Sequence, residues 1–113
     1  MASKNVTALK EKYPEIAQEF ERIITEQYDL FAGKMLDYGK GNISVGTNLE
    51  TSEEVKLSLT GLWFRMNDKM NRLKNLVLLN NTPKVTTEST QDTFQDLSIY
   101  GIIAQIVQNG KWK

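Results

Sequence analysis

Few residue types in this chain can carry chemistry, and they fall into three groups. Glu88, Asp92 and Asp96 recur every fourth residue, which lines them along one sloping side of a helix. Three carboxylates so placed can hold a hard, oxygen-bound cation such as Mg²⁺. The same spacing serves structure equally well: acids in a first turn favour the helix dipole, and Asp96 can pair with a neighbouring cation. Arg65, Lys69 and Arg72 form a second group, a basic row at steps of four and three. Guanidinium forks suit phosphate oxygens and the ammonium adds a point charge, while a solvated face pairing with Glu54 or Asp68 explains the row as well. The third group is Lys34, Tyr38, Lys40 and Asn42 around the Gly39-Lys40-Gly41 turn. There exposed backbone N–H groups can receive an anion and a tyrosine ring can stack on a base, or the glycine simply ends a helix.

What is missing narrows the chemistry further. The chain has no histidine and no cysteine. That removes the commonest general base, the Ser-His and Cys-His nucleophiles, disulfides and thiolate metal sites. Any catalysis has to run on carboxylates, lysines, tyrosines or an oxygen-bound metal. The turn is no P-loop, because it lacks the G-x-x-x-x-G-K-[ST] spacing and follows a helix. Fourteen basic residues balance fourteen acidic ones, so there is no net field to hold a nucleic-acid backbone. General nucleic-acid binding is not expected.

Long amphipathic helices must position these groups. Pro14 fits a first helical turn, and Ile16, Phe20, Ile23, Ile24, Phe31, Met35 and Tyr38 follow at helical spacing, predicting a helix over about 14–38 that stops at Gly39. The signal for a helical turn near Val6–Lys10 is weak. A Gly-rich loop spans 39–50, with a short strand at Ile43–Val45 as an alternative. Thr51 and Glu54 form a capping-box pattern ahead of Val55, Leu59, Leu62, Met66, Met70, Leu73 and Val77, predicting a second helix over about 52–79. The row Ser58, Gly61, Arg65, Asp68, Arg72 and Asn75 reads as its opposite side. Pro83 breaks that helix. Thr87 or Ser89 then caps a third, over about 88–108, whose run Ile99–Val107 is apolar on nearly every side. Trp63, Phe64 and Trp112 are expected to pack in a core or interface. The reading is one all-α domain over 1–113, a compact bundle of three long helices. It is expected to self-associate near the third helix, because so small a domain cannot cover that helix all round. No signal peptide or membrane-length apolar run is present, so a cytoplasmic protein is expected.

The motifs Leu30–Gly39, Asp68–Leu76 and Glu88–Ile103, in that order, resemble the first of the nucleotide-modification-associated domain families, which are common in phages. The likeness covers roughly residues 28–108. It implies a small all-α domain of phage nucleotide metabolism, acting in the host cytoplasm, with shared polar positions at Lys34, Asp37, Tyr38, Lys69, Arg72, Asp92, Asp96 and Tyr100. Two functions follow as expectations. One is sequestration, without cleavage and without a cofactor, of a cyclic nucleotide signal of antiphage defence. Its ligand would be held by Lys34, Tyr38, Lys40, Asn42, Arg65, Lys69, Arg72, Asp92, Asp96 and Tyr100. The alternative is a Mg²⁺-dependent, MazG-like nucleotide pyrophosphohydrolase using Glu88, Asp92 and Asp96. The chain departs from the MazG pattern, since its E-x-x-E match near the second helix begins at Glu50, in the capping segment.

Overall fold

A computed structural model describes residues 3–113, and every regular element among them is helical. The chain divides into two units, one ending at Asp37 and the other comprising Tyr38–Lys113. No helix is long and apolar enough to cross a membrane among the described residues. The sequence predicts three long helices, and the described residues form five α-helices and a π turn.

In the first unit, α1 (Lys4–Lys12) is a full helix where the sequence gives only a weak signal. Its apolar residues are too few to mark a face, and it buries none of its side chains. Local terms hold it instead: the Ser3 hydroxyl accepts from the Val6 N–H at 3.0 Å, and Lys10 pairs with Glu21 of the next helix at 3.0 Å. Tyr13 separates the two helices with a non-helical backbone, φ −133° and ψ 69°, as the following proline disfavours the helical conformation there. The second helix, α2 (Pro14–Tyr38), has the predicted bounds. Arg22 sits on it between Glu19 and Glu26 and pairs with both. Along its apolar stripe Ala17 is buried, whereas Ile16, Phe20, Ile23 and Ile24 are exposed.

The second unit begins where Gly39, at φ +74°, takes the left-handed conformation that ends a helix. The Gly-rich segment is neither plain loop nor strand. Gly41–Ser44 winds into a single turn, α3, and buries Ile43. Thr51 and Glu54 form the expected capping box at the start of α4 (Ser52–Leu73). The predicted second helix does not run on as α-helix to 79, because Lys74–Leu78 widen into a π turn. Ser89 is the cap of α5 (Thr90–Gln108), which therefore starts later than predicted.

Leu62, Leu73, Ile99, Ile103 and Val107 form the core, where α4 packs on α5, together with Ile43 and Trp112. The steps of four from Ile99 to Ile103 to Val107 give α5 one inward stripe. Of the apolar residues in that run only Ile102 is exposed, with Phe94 exposed nearer the start of the helix. Exposed apolar side chains also lie on α4, at Leu57, Trp63, Phe64 and Met70. Trp63 and Phe64 are thus not core residues; their rings meet edge to face at 5.1 Å.

Candidate functional site

The polar row on α4 does not face away from the body. Burial on this helix centres on Ser58, Leu62 and Leu73, so the apolar and polar rows flank one inward face. A polar side chain turned inward needs partners, and each finds them far along the chain. The Ser58 hydroxyl, 1% exposed, donates to the Ile43 carbonyl at 2.6 Å. Arg65 donates to the Asn42 carbonyl at 3.0 Å, and its guanidinium lies 6.0 Å from the centre of the Tyr100 ring, within cation–π range.

One turn on, the charged groups converge. Lys69 Nζ lies 2.9 Å from Glu88 Oε1 and 3.1 Å from Asp96 Oδ2, and Arg72 Nε is 4.0 Å from the same Glu88 oxygen. Arg72 is fixed independently of that carboxylate. Its Nε donates to the Thr93 hydroxyl at 3.2 Å and its Nη2 to the Glu88 backbone carbonyl at 2.5 Å. Thr93 is fully buried and passes the link on, donating to the Ser89 carbonyl at 3.2 Å. The hydrogen bond from Lys69 holds the Glu88 carboxyl below its usual range, and the same bond raises the Lys69 ammonium against its partial burial. Both shifts favour the charged forms.

The acids are thus employed separately. Asp92 accepts from the Ser89 N–H at 3.0 Å and completes the capping box of α5, while Glu88 and Asp96 share Lys69. Among the described residues no group of three or more acids is placed to hold a metal ion. The turn residues also act largely through their backbone. The Lys40 carbonyl accepts from the Trp112 indole N–H at 3.2 Å, and Asn42 meets Arg65 through its carbonyl. The side chains of Lys40 and Asn42, like that of Tyr38, are exposed; Lys34, also exposed, lies in the first unit.

Thr93 and Trp112 are structural members of this region that spacing alone does not single out. The one local sign for Thr93 is its position four residues after the cap Ser89, where a threonine hydroxyl reaches back to a carbonyl. Lys69 and Arg72, on successive turns of α4, thus flank one carboxylate at a partly exposed seam between α4 and the start of α5. No family model, curated protein or solved structure matches the chain.

Proposed function

We propose that the chain is a self-associating nucleotide-binding protein of phage type that holds a cyclic nucleotide signal without cleaving it. The observation that carries this reading is the convergence of Lys69 and Arg72 on a single carboxylate oxygen, a geometry suited equally to a phosphate oxygen. Arg65, a turn away on α4 beside Tyr100, supplies a third cation. The ordered motifs that resemble a phage nucleotide family favour a nucleotide over other anions. Retention is favoured over hydrolysis because Glu88 and Asp96 are neutralised by Lys69 and Asp92 caps a helix, which leaves them poorly disposed to collect Mg²⁺.

Nucleotide bound in EDTA is expected to be recovered intact by chromatography after heat denaturation. Lys69→Ala or Arg72→Ala should weaken binding at least about tenfold with helicity unchanged, the loss of one charge-assisted hydrogen bond. Mg²⁺-dependent turnover beyond one equivalent, abolished by Asp92→Asn and Asp96→Asn, would instead establish the pyrophosphohydrolase. Failure to bind any member of a nucleotide panel would leave an interaction module.

Self-association rests on surface. Leu57, Trp63, Phe64 and Met70 leave apolar side chains exposed on α4, within the second unit. Light scattering at micromolar concentration is expected to give a dimer or larger, shifted towards monomer by Phe64→Ala; a wild-type monomer rejects the idea.

A further inference from the structure

Glu88 is the last residue before the cap of α5, at the end of the connection 79–89 that follows the π turn. Its side chain does not serve its own helix. It reaches back to α4 and fills the place between Lys69 and Arg72 that a phosphate would take. The seat does not depend on it, however. Lys69 keeps Asp96 as a second partner at 3.1 Å, and Arg72 keeps the Thr93 hydroxyl and the Glu88 backbone carbonyl. With the carboxylate gone, both cations would remain beside the place it leaves. The Glu88 side chain is 32% exposed, so an incoming anion can approach the bond it must replace.

We infer that Glu88 is an internal stand-in for the ligand: a phosphate group entering the seat displaces its carboxylate and loosens the connection ahead of it, 79–87, while the Glu88 backbone and the Ser89 cap stay in place. The inference rests on the phosphate reading of Lys69 and Arg72. A phosphate dianion brings more charge and more acceptor oxygens than the carboxylate, so it can win the exchange when present in excess. The affinity measured for wild-type protein is then a net value, lowered by the competitor on the chain.

The test is a titration with inorganic phosphate at constant ionic strength, followed by amide chemical shifts, on wild type, Glu88→Gln and Glu88→Ala. Glu53→Gln, which removes the same charge elsewhere on α4, controls for net charge. Both Glu88 variants are expected to bind phosphate about tenfold more tightly, the release of one charge-assisted contact, and Glu53→Gln about as wild type does. Trypsin cleavage after Lys84 should accelerate in wild type when phosphate is added, and should be fast in the Glu88 variants without it. If wild type binds phosphate and the Glu88 variants bind no more tightly, the stand-in is wrong while the phosphate seat survives. If phosphate tightens on substitution but leaves cleavage after Lys84 unchanged, the coupling to the connection is wrong. If none of the proteins binds phosphate, the reading of the seat itself fails.

Discussion

Trp112→Ala is expected to remove about 3 to 5 kcal/mol from the stability of the second unit, a large fraction of what a small domain has in total. The indole is 7% exposed, and its N–H donates to the Lys40 carbonyl at 3.2 Å, across 72 residues of sequence. One side chain therefore packs in the core and also ties the segment after α5 to the turn before α3. Alanine leaves a cavity and removes the indole bond to the Lys40 carbonyl, which keeps the Ile43 and Ser44 N–H groups as donors, so the packing loss dominates. Trp112→Phe keeps most of the ring bulk without the N–H and should retain more than half of the lost stability. Urea denaturation followed by circular dichroism measures both. A midpoint unchanged in Trp112→Ala would show that the residue merely rests on the surface.

Leu62→Ala should have a comparable effect, about 2 to 5 kcal/mol. Leu62 is 2% exposed at the middle of the inward face of α4. Alanine is the better helix former, so the loss would report packing and not helicity. The same substitution at Phe64, 58% exposed two residues further on, is expected to change unfolding by no more than about 0.5 kcal/mol under conditions where the protein is monomeric. Denaturation of the pair separates residues that hold the fold from residues available to a partner. Equal losses would place Phe64 in the core and undercut the proposed role of its face in self-association.

Local features of the fold were legible in the sequence and long-range ones were not. Pro14 and Gly39 mark the two ends of α2, and Thr51 with Glu54 marks the start of α4, because the interactions that set these boundaries lie within a few residues of them. Lys4–Lys12 is helical without a visible stripe, since a cap and an ion pair stand in for burial. The row from Ser58 to Arg72 looks solvent-facing on composition. It turns inward because Ile43, Asn42 and Glu88 arrive from 15 to 23 residues away to meet it, and periodicity carries no information about such arrivals. The candidate site was legible as residue types: the acids and cations singled out by spacing do meet at Lys69, Glu88 and Asp96. That Asp92 is drawn off to cap α5, and that Arg72 leans on a buried threonine, depends on where α5 begins, a boundary that Thr87, Glu88 and Ser89 leave ambiguous.

The π turn at Lys74–Leu78 bears on how this chain can change length. Such a turn accommodates one residue more than an α-helical turn, so it is where an insertion could have been absorbed without disturbing the phase of α4 upstream. Deleting a single residue there would restore a regular α-helical turn and nearly keep the phase on both sides, because five residues of a π turn wind about as far as four of an α-helix. Deleting one residue from the regular turns at 63–68 would instead swing Lys69 and Arg72 by about 100° away from the face that carries Leu62. Glu88 would then no longer come down over Lys69. The chain is therefore expected to tolerate a one-residue deletion within 74–78 far better than within 63–68.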